Sequence, residues 1–196
     1  KYNICELIRY YIYKILIAKY RIKNYKSYEE IIISLVCSDL NEKFLLRGIY
    51  VIMKILEVLN EFYDDFEFIK EKWNEKYEGI LIKIKEEQGY KRCRLAKKTP
   101  KKEGYFTAFW KKDSRNKNIP YTNEDLGNEL VIVVIDNDKR GLFIIPNEEA
   151  IRRKILSTKD SKGKMSMRFY PPWSVNLNTT ALETQKWQLK FFRKIE

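Results

Sequence analysis

Apolar residues in the first third of the chain recur about every three to four positions, which is the spacing of amphipathic helices. This spacing predicts helices over residues 2–22, 28–37 and 42–63. The pattern is weaker over residues 65–73, which we interpret as a short helical or irregular segment.

After Tyr77 the pattern changes to alternation and to short apolar runs, which are typical of β-strands. Strands are predicted over residues 77–84, 90–97, 105–111, 129–135, 142–145 and 165–169. Turns are predicted at Gln88-Gly89 and over 100–104, and the polar residues 112–128 indicate a loop. The apolar run from Glu129 to Ile135 indicates a central strand buried on both faces.

Two further helices are predicted within and after the strands. Asn147 is interpreted as the N-cap of a helix from Glu148 to about Ile155. Residues 179–193 fit both a helical face and an alternating strand, and we predict a helix to about residue 190 followed by an extended tail.

Together these elements predict an α/β (α+β) fold in which about five or six strands of a mixed sheet are flanked by helices. Residues 1–52 are interpreted as a helical N-terminal extension and residues 53–196 as the main domain. One hypothesis takes Met53 as the natural start of the protein, and an intact-mass measurement on the native protein tests it.

The composition excludes several kinds of chemistry. The chain of 196 residues contains no histidine, so Ser-His-Asp catalysis, Cys-His catalysis and His-ligated zinc are excluded. The three cysteines, Cys5, Cys37 and Cys93, form no CxxC pair and are expected to be reduced thiols of a cytoplasmic protein. No apolar run is long enough to span a bilayer, and we expect no membrane association.

The net charge of +12 is concentrated in two short blocks. Residues 91–112 carry nine basic residues and one acid, and residues 152–168 carry seven basic residues and one acid. Both blocks lie next to tryptophan and tyrosine. Lysine and arginine neutralise phosphates and flat rings stack on bases, so this combination favours nucleic-acid binding over a merely solvated surface.

Four segments in this half resemble the MepB family. They are RLAKKTPKKEG at 94–104 running on to FW at 109–110, GLFIIP at 141–146, RFYPPW at 168–173 and TQKWQL at 184–189. The match covers roughly residues 53–196. The resemblance implies a restriction-endonuclease-like core and nucleic-acid binding, and it implies a nuclease fold without the full active site.

The sequence allows this last implication to be tested. Metal-dependent nucleases of that fold place one acid at a strand end and an Asp/Glu-x-Lys motif on the next strand, where the acids hold Mg²⁺. Glu78 fits the first acid, but the strand over residues 90–97 offers arginine, cysteine, leucine and alanine before Lys97. We therefore expect no catalytic residues, no metal and no cofactor, and the incomplete motif favours a protein without enzymatic activity over an enzyme.

The expected nucleic-acid contacts come from both basic blocks and the neighbouring aromatic residues. They are Arg94, Lys97, Lys98, Lys101, Lys102, Trp110, Lys164, Arg168, Tyr170, Trp173 and Lys186. Structural alternatives stay open for several of them. In one alternative, Arg94 or Lys97 forms an ion pair with Glu78 inside the sheet. In another, the tryptophans belong to the core. Gln185 and Gln188 hydrogen-bond either to base edges or to backbone carbonyls.

The preferred interpretation is a non-catalytic protein that binds nucleic acid, with DNA as the expected partner, through the phosphate backbone with little sequence specificity. One alternative is a metal-dependent nuclease that uses Glu78. Another is a regulatory module that binds an acidic protein or a small phosphorylated ligand. The sequence does not determine the oligomeric state.

Overall fold

The computed structural model describes residues 54–195. The chain divides into two compact units, Lys1–Asp65 and Phe66–Glu196. In the first unit the structure describes residues 54–65, of which residues 54–62 form helix α1. The helix predicted over 42–63 is thus confirmed along its described part. The helices predicted over 2–22 and 28–37, and with them the extension over 1–52, lie outside the described residues.

The second unit is built mainly from strands. The strands are β1 Phe66–Lys70, β2 Ile80–Ile84, β3 Lys91–Thr99, β4 Lys102–Ala108, β5 Trp110–Lys112, β6 Asn118–Pro120, β7 Glu129–Asp136, β8 Lys139–Pro146, β9 Ser166–Phe169 and β10 Phe192–Ile195. The helices are α2 Asn123–Leu126, α3 Asn147–Arg152 and α4 Thr179–Gln188. Short 3₁₀ turns lie at Glu75–Tyr77 and Leu189–Phe191.

Eight of these strands form one mixed sheet. Its main order is β1-β2-β3-β7-β8-β10, while β4 pairs with β3 and β9 pairs with β4. The β3 and β7 strands run parallel, and the other pairs in this sheet are antiparallel. The β5 and β6 strands form a separate antiparallel pair. The predicted α+β class, with a mixed sheet flanked by helices, is confirmed.

The core is centred on β7. Its residues from Leu130 to Val134 have no exposed surface, and neither do Leu142, Phe143 and Ile145 of the neighbouring strand β8. Burying one such side chain contributes about 1.5–3 kcal/mol. The central strand predicted over 129–135 is therefore confirmed, with burial on both faces.

The β3 strand changes partner along its length. Residues 91–96 pair with β7, whereas Lys97 to Thr99 pair with β4 and form the β3–β4 hairpin. The register shifts between Lys98 and Thr99, which marks a bulge at the end of the hairpin. The strand thus connects the main sheet to the basic segment that the sequence singles out.

Several elements differ from the sequence prediction because tertiary contacts override local pattern. Residues 66–70 form strand β1 through pairing with β2, where a helical or irregular segment was expected. The predicted strand over 105–111 is interrupted at Phe109, whose N–H donates to the Met165 carbonyl at 2.9 Å. The predicted loop over 112–128 contains β6 and α2. The extended tail becomes a strand, β10, that pairs with β8.

Helix α3 begins one residue before its predicted start and also ends before its predicted end. Pro146 is its N-cap, and Asn147 is its first residue. The Asn147 side-chain amide donates to the Gly127 carbonyl at 2.9 Å, so it ties the helix to the loop between α2 and β7. The helix ends at Arg152 rather than near Ile155.

Within residues 54–195 no helix is both long and apolar enough to cross a membrane. Cys93 lies on β3 with no exposed surface and forms no disulfide. Burial raises the pKa of its thiol well above the usual value, so Cys93 stays protonated and unreactive in the folded protein.

Candidate nucleic-acid interface

The β3–β4 hairpin presents three exposed lysines in a short segment. Lys98, Lys101 and Lys102 are exposed, and Lys97 is half-buried at the base of the hairpin. The hairpin end also borders a shallow pocket of about 470 Å³ lined by residues 98–103. Three of the six lining residues are lysines, so the pocket suits an anion.

A row of one aromatic and two basic side chains crosses the outer face of this small sheet. Lys97 on β3 lies opposite Phe106 on β4, which lies opposite Arg168 on β9. Residues directly opposite each other share a face of a sheet. The other face is the core, where Tyr105 and Phe169 are buried.

The aromatic residue in this row has contacts on more than one side. The Arg168 guanidinium carbon lies 5.7 Å from the centre of the Phe106 ring, which is within cation–π range. Tyr77, from the 3₁₀ turn before β2, meets the same ring edge-on with the ring centres 5.9 Å apart. The outer face therefore combines half-exposed rings with cations, which is the arrangement that stacks bases and holds phosphates.

Arg168 also holds the hairpin in place. Its Nη2 donates to the Thr99 hydroxyl at 2.7 Å, and its Nη1 lies 3.3 Å from the carbonyl oxygens of Lys102, Glu103 and Gly104. A guanidinium with five donors can make these bonds and keep further donors for a phosphate. Arg168 is half-buried, so it is both a brace and a candidate contact.

A hydrogen-bonded chain fixes the base of the hairpin. Tyr105 donates to the Asp136 carboxylate and accepts from Trp173 Nε1 at 3.0 Å. Lys98 Nζ lies 3.5 Å from the same carboxylate. Burial raises the pKa of the Tyr105 phenol, and the bond to Asp136 raises it further, so the group is neutral at ordinary pH and acts as a donor.

Tyr105→Phe is expected to lower the free energy of unfolding by about 1–2 kcal/mol, because it removes one partner of Trp173 Nε1 and one of Asp136. Chemical denaturation followed by circular dichroism measures the change. Tyr90→Phe is the matched control, since Tyr90 is 44% exposed, and it is expected to change the stability little. Equal small losses in the two variants would contradict a structural role for the Tyr105 hydroxyl.

The aromatic loop after β9 is held by glutamines from α4. Gln188 is fully buried, donates to the Arg168 carbonyl at 2.8 Å and accepts from the Tyr170 N–H at 2.9 Å. Gln185 donates to the Pro171 carbonyl at 3.0 Å. Both amides therefore satisfy loop backbone groups, which is one of the alternatives that the sequence leaves open.

The remaining predicted contacts lie in different settings. Tyr170 is half-buried and its ring lies against Gly104, where the lack of a side chain leaves room for it. The φ of Gly104 is +81°, which also favours glycine at this position. Trp173 is half-buried against Phe192, with ring centres 5.5 Å apart, so it belongs partly to the core. Lys164 and Lys186 are exposed.

Comparison with known proteins identifies the family. The family model described as MepB-like matches residues 71–194, which is more than half of the chain. The chain belongs to the MepB-like family. It is also similar to the protein in the crystal structure of MepB, with 40% sequence identity and a TM-score of 0.65. That match covers 80% of this chain and 98% of the MepB chain. No curated protein matches it.

One predicted contact of this MepB-like protein does not reach the surface. Arg94 has no exposed surface, forms an ion pair with Glu71, and donates to the Tyr121 hydroxyl at 3.0 Å. Arg92 binds the same carboxylate at 2.9 Å, and its guanidinium lies 4.1 Å from the Tyr121 ring centre. A fully buried cation cannot touch a phosphate in solution, so the candidate interface leaves Arg94 out.

The region around Glu78 does not fit a divalent metal. Glu78 is 5% exposed and has a left-handed backbone with φ of 48°. A Cβ added to the adjacent Gly79 would lie 3.1 Å from the Arg94 guanidinium, so a cation already fills this position. Within residues 54–195 no three His, Cys, Asp or Glu side chains come together as a metal site. Two residues before Lys97, where the Asp/Glu-x-Lys motif would place its acid, the strand has Leu95.

Sequence reasoning missed several residues of this region. Glu71 lies just after a strand that was not expected, so its role as the partner of two arginines has no local sequence signal. Phe106 could have been found from strand alternation once the β3–β4 register was known. Trp73 comes close to Trp110 only through the fold, since the two are 37 residues apart.

Proposed function

We propose that this MepB-like protein binds nucleic acid, with DNA as the expected target, and that it does not cleave it. The observation that carries the proposal is the row of Lys97, Phe106 and Arg168 beside the exposed hairpin lysines. Its expected place of action is the cytoplasm.

Electrostatics supports backbone recognition with little sequence readout. The net charge of +12 attracts polyanions, and the hairpin lysines are flexible point charges that bind phosphate oxygens. Reading a base pair requires side chains held against a groove edge, as in bidentate arginine or amide contacts. Gln185 and Gln188 bond to loop backbone instead, so they are not expected to read bases.

The proposal includes a restriction-endonuclease-like core. A protein with such a core can bind nucleic acid without cleaving it when the acids of the active site are missing. In such a core the acids hold Mg²⁺ beside the scissile phosphate. Here Arg92 and Arg94 share the carboxylate of Glu71. The Arg94 guanidinium lies beside Gly79, next to Glu78, where it repels a divalent cation, so the residues favour binding over cleavage.

Fluorescence anisotropy with labelled single- and double-stranded DNA and RNA tests the proposal. Each probe is titrated over a salt series with and without Mg²⁺, and the end samples are run on a denaturing gel. Binding that weakens with salt and leaves the probe intact is expected. No binding to any probe at low salt would overturn the proposal, and probe shortened only with metal would favour a nuclease that uses Glu78.

The lysine-lined pocket at the hairpin end favours one second candidate, a small phosphorylated ligand. A mononucleotide competitor separates the two functions. If the protein holds one phosphate group in the pocket, a mononucleotide competes as well as a longer strand does. If it binds the backbone, affinity increases with strand length because more phosphates are contacted.

A further inference from the structure

Two half-exposed tryptophans form a pair beside the candidate interface. Trp73 follows β1 and Trp110 begins β5, and their ring centres lie 6.3 Å apart at an interplanar angle of 30°. The Asn74 side chain donates to the Trp110 carbonyl at 2.7 Å and fixes the loop that carries Trp73 to β5. The pair is therefore held in place by backbone contacts as well as by the rings.

A lysine ammonium lies over each ring. Lys72 Nζ is 4.7 Å from the Trp73 ring centre, and Lys112 Nζ is 5.6 Å from the Trp110 ring centre. Lys112 also donates to the Asn116 carbonyl at 2.9 Å, whereas the Lys72 side chain is exposed. An exposed lysine can lie over a ring only where other protein atoms do not cover that face. The Trp73 face under Lys72 is thus covered by an exposed side chain rather than by the core, and Trp73 as a whole is half-buried.

This setting differs from that of a core tryptophan. Trp187 is 7% exposed and belongs to the core cluster, as expected for a large apolar ring. Trp73 and Trp110 keep more of their surface in water, which lowers the free energy that their burial contributes.

We infer that Trp73 and Trp110 form a stacking platform for an unpaired base of a single-stranded nucleic acid. The base stacks on Trp73 in place of the Lys72 ammonium, and Lys72 then moves to the adjacent phosphate. A base within a duplex is already stacked on both faces, so this site selects single strands. The inference rests on the proposed function and adds the form of the nucleic acid.

The platform can act together with the hairpin. Phe106 and Trp110 are four residues apart along consecutive strands, which separates their backbones by at most about 14 Å. Tyr77, in the turn that follows Asn74, contacts Phe106. The same loop therefore touches both the hairpin row and the tryptophan pair, and one strand of nucleic acid can pass over both.

A pair of substitutions at one position tests the platform in the full chain. Trp73→Leu keeps an apolar side chain and removes the flat ring, whereas Trp73→Phe keeps a ring. Anisotropy is measured with a labelled oligothymidylate and a mixed-sequence DNA duplex at the same salt concentration. Trp73→Leu is expected to weaken binding of the oligothymidylate about 5- to 150-fold, with little change for the duplex, and Trp73→Phe is expected to restore most of the affinity.

Intrinsic fluorescence provides a second readout that does not depend on the folding of the variants. Stacking on Trp73 is expected to quench tryptophan emission of the wild type on addition of oligothymidylate, and the duplex at equal saturation quenches less. Unchanged affinity in Trp73→Leu, or equal quenching by both probes, would overturn the platform and leave the proposed function intact. Failure of the wild type to bind either of these probes, or either form of RNA, at low salt would overturn the proposed function itself.

Discussion

Replacing Lys98, Lys101 and Lys102 together by alanine is expected to weaken DNA binding and to lower its salt dependence. Each phosphate contact contributes about 0.9 to the slope of log Kobs against log salt for duplex DNA, so losing three contacts lowers the slope by about 2.7. At about 0.1 M salt the same three contacts contribute roughly a factor of 500 to the affinity. All three lysines are exposed, so their removal leaves the core unchanged.

A triple variant of equal charge is the control for this experiment. Lys83, Lys85 and Lys190 are also exposed and lie outside the hairpin, and their replacement lowers the net charge by the same amount. The control is expected to change the slope by less than about one. Similar slopes for the two variants would show that total charge, rather than the hairpin, determines binding.

Glu71→Ala is expected to lower the free energy of unfolding by about 3–5 kcal/mol, because it leaves two buried guanidinium groups without their carboxylate. Arg94 has no exposed side-chain surface and that of Arg92 is 8% exposed, so both guanidinium groups have little contact with bulk water. Guanidinium chloride denaturation followed by circular dichroism gives the change in stability. The free energy of unfolding of a domain is typically only about 5–15 kcal/mol, so this loss is a large fraction of it.

Glu75→Ala is the matched control for the loss of an ion pair. The side chains of Glu75 and its partner Lys70 are 73% and 51% exposed, and an exposed pair contributes less than about 1 kcal/mol. A small effect in both variants would mean that the buried arginines find other partners when Glu71 is absent.

The parts of the fold that the sequence predicts well are those determined by local pattern. The apolar run of β7 indicates a buried strand, and the turn that follows it is marked by Asn137, which has a left-handed backbone. The turn is shorter than the break between residues 135 and 142 that the sequence indicates, because β8 already begins at Lys139. The β2–β3 hairpin is likewise marked by Gly89, whose φ is +89°. These residues determine their own conformation, so no knowledge of distant contacts is needed.

The parts that the sequence does not predict depend on contacts between distant residues. The β1 strand exists because β2 pairs with it, and Arg94 is buried because Glu71 and Tyr121 receive its guanidinium. The charge pattern places Arg94 in the same block as Lys98, yet one faces the core and the other faces solvent. The two residues are four apart and share a face of β3, so their position along the strand separates their roles: Arg94 lies where β3 pairs with β7, and Lys98 lies in the hairpin.

The position of β10 has a consequence for how the protein is made. Strand β8 receives its outer partner only from residues 192–195, so its edge stays unpaired on the ribosome until these residues have emerged from the exit tunnel. An unpaired apolar edge is a template for association with other nascent chains. The strands from β1 to β8 can pair earlier, so the edge of β8 is the part of this sheet that is completed last.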